Sequence, residues 1–128
     1  LDTVMPGLSL YDFGDMVRTA TSPAAEDERD LSRVGVRLPM FEALVRGYLS
    51  AAGEMLTPVE KAHLVPAGKL ITLESAIRFL TDHLDGDVYF KTSRDGHNLD
   101  RCRTQLALVA DMERQEEDLH RIVREAAR

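Results

Sequence analysis

The chain has 128 residues, of which 44% are apolar and 30% charged, with a formal net charge of −6. A chain of this length can bury one core, and its ordinary composition excludes collagen-like, low-complexity and disulfide-scaffold sequences. The lone Cys102 cannot form an internal disulfide and favours a reducing, cytoplasmic location. No apolar run reaches the roughly 18 residues of a membrane span, and acidic charge disfavours a nucleic-acid interface. We therefore expect one helical domain over residues 1–128, with neither membrane nor nucleic acid as partner.

The first third of the chain predicts a short helix, a polar loop and a weak strand. A turn signal at residues 5–7 precedes Asp12, which is placed to cap a helix that extends to residue 18. Residues 21–33 are small, polar and acidic, which is typical of a loop. Apolar residues alternate over 34–38, so a short strand or hairpin is expected near the N-terminus.

From Pro39 onward, apolar residues recur with the 3.6-residue period of helices. The first stripe ends at Gly53, a helix stop. Its members are Phe41, Leu44, Val45, Tyr48, Leu49 and Ala52. The segment 57–60 then combines a Thr cap, a Pro at the first helical position and the Glu of a capping box. It predicts a short helix that ends before Pro66.

Two longer helices are expected in the second half. The first carries an apolar stripe and ends at residues 85–87; the stripe comprises Leu70, Leu73, Ile77, Leu80 and Leu84. After an irregular segment over 88–96, Asn98 is placed to cap the last helix. The stripe of that helix comprises Leu99, Cys102, Leu106, Val109 and Met112. Beyond residue 112 the pattern weakens, so we expect the end of the chain to project from the body or to pack on another copy or another part of a longer protein.

The residues with the clearest chemical potential surround Arg78. Glu74, Arg78 and Asp82 are four residues apart and share one helical face. One interpretation is a surface ion-pair ladder, which contributes only a few tenths of a kcal/mol. The other is a partly buried guanidinium, oriented by its carboxylate neighbours, that donates to a hydroxyl or carbonyl oxygen. With the ring and hydroxyl of Tyr89 beside it, such a guanidinium could hold a polar ring such as a sugar.

Other candidate motifs point to no metal or nucleotide site. The acids at 82, 85 and 87 do not have the spacing of a calcium-binding EF-hand, and the four histidines form no zinc pattern. No phosphate-binding glycine loop or hydrolase nucleophile motif is present. Residues 12–14 spell the Asp-Phe-Gly of protein kinases, but without a preceding catalytic loop we interpret them as a cap, an apolar plug and a turn.

Several segments together resemble one enzyme family. Residues 1–15 (Leu-Asp-Thr-Val-Met-Pro-Gly-Leu-Ser-Leu-Tyr-Asp-Phe-Gly-Asp) are similar to the metal-loop region of the aminoglycoside phosphotransferase and choline kinase-like superfamily, and most closely to its N-acetylhexosamine 1-kinases. The similarity extends to about residue 115. It continues through residues 56–60, 72–74, 78–82, 89–90, 96–101 and 108–113.

The resemblance implies an enzyme that transfers the γ-phosphoryl group of ATP to the anomeric hydroxyl of N-acetylglucosamine or N-acetylgalactosamine, with Mg²⁺. The chain then corresponds to the helical C-terminal part of a protein-kinase-like C-lobe. In the family, the catalytic base, the ATP-binding residues and the metal ligand precede the segment that matches Leu1. We therefore expect these 128 residues alone to be catalytically inactive and to bind neither ATP nor Mg²⁺.

Four residues match functional positions of the family. Asp2 follows the position of the metal ligand, so the resemblance makes it metal-adjacent. Asp12 matches an aspartate that braces the catalytic loop. Arg78 and Tyr89 match a pair that contacts the sugar, in agreement with the pocket expected from the residues themselves.

Three alternatives remain open. The substrate could be another hydroxylated molecule, such as an aminoglycoside or choline. Some relatives have been labelled mucin-desulfating sulfatases, although no Cys or Ser here stands in the C/S-x-P-x-R context that a sulfatase nucleophile needs. The chain could also be a helical interaction module. If it is a piece of a longer kinase, surface exposed by truncation could drive self-association, and a dimer would not show that the parent is dimeric.

Overall fold

The computed structural model describes residues 4–128, so Asp2 lies outside the described residues. Within that range the chain is all-helical, with no strand, which confirms the predicted mainly α fold class. Six α-helices are present: α1 (Ser9–Ala20), α2 (Leu38–Ala52), α3 (Pro58–Ala62), α4 (Leu64–Leu84), α5 (His97–Arg114) and α6 (Glu116–Ala126). A short 3₁₀ turn occupies Leu31–Arg33. In residues 4–128, none of these helices combines the length and apolar character needed to cross a lipid bilayer.

The expected strand near residues 34–38 is wrong. Val34 and Val36 are buried in the core, whereas Gly35 between them is partly exposed and Arg37 is exposed. The backbone of Val36 pairs with side chains of α5 and its C-terminal end rather than with another strand. Its N–H donates to Asp111 Oδ2 at 2.7 Å, and its carbonyl accepts from Gln115 Nε2 at 2.8 Å. Polar side chains therefore satisfy the hydrogen bonds that a sheet would otherwise provide.

Helix α1 packs closely on α4 through glycine. Phe13 and Val17 are buried, whereas Asp12 is exposed and lies within the helix, so the predicted cap at Asp12 is wrong. A Cβ at Gly14 would lie 2.6 Å from the Ala67 carbonyl oxygen, closer than real Cβ atoms approach. The Asp-Phe-Gly sequence therefore lies within α1. Phe13 is buried, as expected, whereas Gly14 lies at the contact with α4 and not in the predicted turn.

The predicted capping box at residues 57–60 is confirmed. Thr57 Oγ1 accepts from the Glu60 N–H at 3.2 Å, and Glu60 Oε2 accepts from the Thr57 N–H at 2.7 Å. Both groups are local, so the sequence spacing alone determines the motif. Pro66 does not end the structure there, because it lies in the first turn of α4, where proline is tolerated.

Helix α4 buries a different face from its apolar stripe. The predicted stripe residues Leu70, Leu73, Ile77, Leu80 and Leu84 are all exposed. The buried face includes small residues that let α1 and α5 approach closely, and it comprises Leu64, Val65, Ala67, Gly68, Thr72, Ala76, Phe79 and Asp82. The helix was predicted correctly, but its buried face was not, because close packing against α1 and α5 favours small residues over large ones.

The end of the chain folds back instead of projecting, which corrects the expectation from the weakened pattern. The helix breaks at Gln115, and α6 packs against α2. Leu119, Ile122 and Val123 are buried in the same core cluster as Phe41 and Val45. The strongly amphipathic α6 therefore closes the core with apolar residues of the chain itself.

Candidate functional site

Arg78 and Tyr89, the two residues predicted to contact a sugar, lie together. Arg78 is in the last third of α4, and Tyr89 follows the turn that ends the helix. The guanidinium carbon of Arg78 is 5.6 Å from the Tyr89 ring centre and 5.4 Å from the Phe90 ring centre. These distances fit cation–π contacts. The Arg78 side chain is 50% exposed and Tyr89 73% exposed, so both remain accessible to a ligand.

A cleft of about 380 Å³ opens between the end of α4 and the segment that follows it. Its lining combines one cation, aromatic rings, a hydroxyl and carboxylates, namely Arg78, Thr81, Asp82, Asp85, Val88, Tyr89 and Phe90. Its volume falls in the lower range of small-molecule sites. The composition suits a small polar ring with one apolar face.

Of the three residues expected to form an ion-pair ladder, only Glu74 and Arg78 lie close to each other in the structure. Arg78 Nη1 lies 3.9 Å from Glu74 Oε1, a loose contact between half-exposed side chains. Asp82 turns inward and is only 4% exposed. Arg78 is therefore weakly held by Glu74, and its remaining donors face the cleft or solvent.

Asp82 fixes the backbone of the aromatic pair. Its Oδ1 accepts from the Tyr89 N–H at 2.8 Å, and its Oδ2 accepts from the Phe90 N–H at 3.0 Å. Burial raises the pKa of the Asp82 carboxyl, but the backbone N–H groups of residues 88–90 and the Asn98 amide lower it further, so the net pKa lies below the ordinary value. The carboxylate is an intramolecular acceptor for the segment that carries Tyr89.

Asn98 connects Asp82 to the turn and to α5. It is fully buried inside α5, and the residue at the helix N-cap is Gly96, so the prediction that Asn98 caps the helix is wrong. Its Nδ2 donates to Asp82 Oδ2 at 2.7 Å and to Asp87 Oδ1 at 2.9 Å. Its Oδ1 accepts from Arg101 Nη1 at 2.9 Å.

Asn98 and Arg101 are the residues that sequence reasoning missed. Arg101 also donates to the Lys91 carbonyl at 3.1 Å, and its guanidinium carbon lies 5.6 Å from the Phe79 ring centre. The signal available in the sequence was an amide followed three residues later by a cation at the start of a helix. That signal does not reveal a partner, because Asp82 is 16 residues away in sequence.

A second cleft of about 290 Å³ lies on the other side of Arg78 and Phe90. Most of its polar groups are already paired. Arg18 contacts Asp15 at 2.9 Å and Glu26 at 2.7 Å, and Arg101 Nε lies 3.8 Å from the same Glu26. This cleft is therefore a surface of paired charges beside Arg78.

His97 is the first residue of α5. It is buried, and its Nε2 lies 2.9 Å from Asp27 Oδ2. Its Nδ1 accepts from the Ser93 N–H at 3.1 Å, and the Ser93 hydroxyl is 3.5 Å from the same nitrogen. Because the backbone N–H occupies the Nδ1 lone pair, the imidazole has no free nitrogen to deprotonate Ser93. The group anchors the loop between α1 and α2 to the start of α5.

The described residues do not fit a Mg²⁺–ATP site. Within residues 4–128, no group of three or more His, Cys, Asp or Glu side chains is arranged to hold a metal ion. Asp12 is exposed on α1, and its neighbour Asp15 pairs with Arg18. The carboxylates of Asp82 and Asp87 both accept from the Asn98 amide. No chemical step through a metal or nucleotide is derived from these residues.

No protein-family model matches this chain. The cleft at the end of α4, where Arg78 lies beside Tyr89, is the structural feature with the clearest capacity to bind a ligand.

Proposed function

We propose that this chain is the sugar-binding, C-terminal part of an ATP-dependent kinase that phosphorylates N-acetylhexosamines at the anomeric hydroxyl. The observation that carries the proposal is the exposed Arg78–Tyr89 pair, 5.6 Å apart, at the mouth of a cleft of monosaccharide size. The kinase-like C-lobe origin and a cytoplasmic location are parts of the same proposal. The product is the sugar 1-phosphate, with ADP released.

The cleft residues bind and orient the sugar in this proposal. Arg78 presents planar, permanently charged donors to a ring hydroxyl or to the acetamido carbonyl oxygen. The face of Tyr89 packs against the C–H face of the sugar ring, and its hydroxyl offers a further hydrogen bond. Holding the acceptor in one orientation is the main contribution a protein makes to phosphoryl transfer.

The remaining chemistry belongs to other parts of the parent protein. In the parent protein, ATP with Mg²⁺ would supply the phosphoryl group, and an aspartate outside this chain would accept the proton of the sugar hydroxyl. Asp2 is proposed to lie next to the metal ligand, and Asp12 is proposed to brace the catalytic loop. The exposure of Asp12 leaves its carboxylate free for such a contact. Alone, the 128 residues are proposed to be inactive.

The Arg78–Tyr89 side of the cleft suits a neutral sugar better than a cationic ligand. Arg78 already lies over the ring of Tyr89, so the ammonium groups of choline or an aminoglycoside would meet a like charge there. The sulfatase label gains no support from Cys102, because the thiol is only 3% exposed and its burial raises the pKa of the thiol. A neutral hydroxylated ring is the better match.

The test is an ADP-release assay on the full-length parent, with Mg²⁺–ATP and a panel of N-acetylglucosamine, N-acetylgalactosamine, choline and an aminoglycoside. We expect turnover with a hexosamine, and in Arg78→Ala we expect the sugar KM to rise by about tenfold or more, which corresponds to about 1.4 kcal/mol. The KM for ATP should be nearly unchanged.

Arg46→Ala is the matched control. Arg46 forms an exposed i,i+4 ion pair with Glu42 at 2.8 Å and does not line the cleft. Arg46→Ala therefore removes the same kind of contact as Arg78→Ala. Its sugar KM should equal that of the unmodified enzyme. Turnover with none of the acceptors would rule out the sugar-kinase proposal, and an equal change in the two variants would remove Arg78 from the site.

A further inference from the structure

Three polar side chains of the cleft form a row along the last turns of α4. Arg78, Thr81 and Asp85 have the spacing i, i+3 and i+7, so they lie on one side of the helix, and all three line the cleft. At about 1.5 Å of rise per residue, the row is roughly 10 Å long. That length matches a pyranose ring that is hydrogen-bonded at both ends.

The carboxylate of Asp85 is an acceptor that the fold leaves unused. Both oxygens of Asp82 already accept from N–H groups of the chain itself. Asp85, by contrast, is exposed, and within residues 4–128 its carboxylate forms no hydrogen bond and no ion pair. Its backbone N–H donates to the Thr81 carbonyl at 2.9 Å, which fixes where the side chain leaves the helix. The carboxylate is therefore available to a ligand.

The hydroxyl of Thr81 is available as well. Three other threonines inside helices, Thr19, Thr72 and Thr104, donate from Oγ1 to the carbonyl oxygen four residues earlier. Thr81 also lies inside a helix, but in the described part of the chain its hydroxyl makes no such bond. Next to Asp85 on the row, it can donate to a ligand or accept from one.

We propose that Asp85, with Thr81 beside it, is the specificity-determining acceptor of the sugar site. Its two carboxylate oxygens accept from two adjacent hydroxyls of the sugar, at the opposite end from the group that Arg78 holds. Asp85 has this role only if the cleft binds the sugar as proposed above. A guanidinium only donates and an ionised carboxylate only accepts, so the row selects a ligand with an acceptor at one end and hydroxyl donors at the other.

The chemistry of the substrate identifies those hydroxyls. In an N-acetylhexosamine the anomeric hydroxyl receives the phosphoryl group and C2 carries the acetamido group. The adjacent ring hydroxyls that remain are those at C3 and C4. Their oxygens are gauche in both N-acetylglucosamine and N-acetylgalactosamine, so one carboxylate can accept from the pair in either sugar.

Isothermal titration calorimetry of the full-length parent with N-acetylglucosamine tests the residue. Asp85→Ala should raise the sugar Kd by about tenfold, and Asp85→Asn should raise it less because the amide keeps one acceptor oxygen. Thr81→Val should raise it by a smaller factor, about threefold. Asp95→Ala is the control, since Asp95 is an exposed aspartate outside the cleft, and its Kd should equal that of the unmodified protein.

Deoxy sugars test the contact itself. The 3-deoxy and 4-deoxy forms of N-acetylglucosamine should bind the unmodified parent more weakly than the complete sugar does. In Asp85→Ala the same deletions should cost little more, because the partner of those hydroxyls is already gone. A purely structural role of Asp85 would make the losses add. Additive losses at both positions, or an unchanged Kd in Asp85→Ala, would overturn the proposal.

Two further outcomes separate this proposal from the function on which it rests. Sugar binding that is weakened in Arg78→Ala but not in Asp85→Ala would overturn the role of Asp85 and leave the sugar site in place. No sugar binding by the unmodified parent would overturn both. Choline provides the last arm: binding of choline that is lost in Asp85→Ala, with sugar binding unchanged, would make the carboxylate a cation acceptor and overturn its role towards hydroxyls.

Discussion

Asp82 is the residue on which the local shape of the cleft most depends. Its carboxylate accepts from two successive backbone N–H groups, those of Tyr89 and Phe90, and from the Asn98 amide. Such a group contributes by holding a segment rather than by touching a ligand. The aromatic ring next to Arg78 therefore depends on a carboxylate located on the preceding helix.

Asp82→Ala should raise the sugar KM of the proposed full-length kinase by about tenfold, with a smaller effect on kcat, because the Tyr89 segment loses its anchor. Asp82→Asn keeps one acceptor and should recover part of that loss. Asp95→Ala is the control, since Asp95 is an exposed aspartate in the segment between α4 and α5 and does not line the cleft. Steady-state kinetics at varied sugar concentration checks the three variants. A fall in kcat alone would contradict a positioning role.

At the scale of helices, contact between α1 and α4 requires a residue without a side chain. A Cβ at Gly14 would meet the backbone oxygen of Ala67, and a Cβ at Gly68 would lie 3.0 Å from Val17 Cγ1. The backbone contact cannot relax by rotation of a side chain, whereas Val17 can adjust. Gly14 is therefore the stricter of the two positions.

Gly14→Ala should lower the free energy of unfolding by about 1–3 kcal/mol, because the added methyl forces α1 away from α4. Gly47→Ala should have the opposite effect on the free energy of unfolding, because a Cβ there would meet nothing within 4 Å and Gly47 lies inside α2. That substitution should stabilise by about 0.5–1 kcal/mol through helix propensity. Urea unfolding of both variants measures the difference. Equal effects would mean that α1 tolerates displacement.

Local signals predicted the helices well and their environment poorly. The capping box at 57–60 depends on residues three apart, so the sequence contains the whole motif. The apolar stripe predicted for α4 shows the opposite case, because periodicity reveals an apolar face but not whether a neighbour covers it. Arg78 and Tyr89 were predicted to meet because only a helix end separates them. Asn98 was misassigned because its partner, Asp82, lies on another helix.

Over the whole molecule, buried or partly buried carboxylates join elements that are distant in sequence. Asp82 links α4 to the Tyr89 segment, and Asp27 links the loop after α1 to His97 and Arg94. Asp100 on α5 binds Arg94 and Arg29. These three carboxylates share one property that follows from their partners. Each has a pKa below its ordinary value, although burial alone would raise it.

The sign of the pH dependence follows from those lowered pKa values. The unfolded chain takes up protons near the ordinary value of about 3.9, and the folded chain takes them up only at lower pH. The stability from these carboxylates is therefore complete above that value and is lost as the pH falls through the folded pKa values. We expect the free energy of unfolding to fall steadily from about pH 5 towards pH 2, and Asp82→Asn should lessen that fall because one of the three titrating carboxylates is absent. Urea unfolding at a series of pH values measures both slopes. Parallel slopes for the two proteins would show that Asp82 does not contribute to acid sensitivity and that its hydrogen bonds survive protonation.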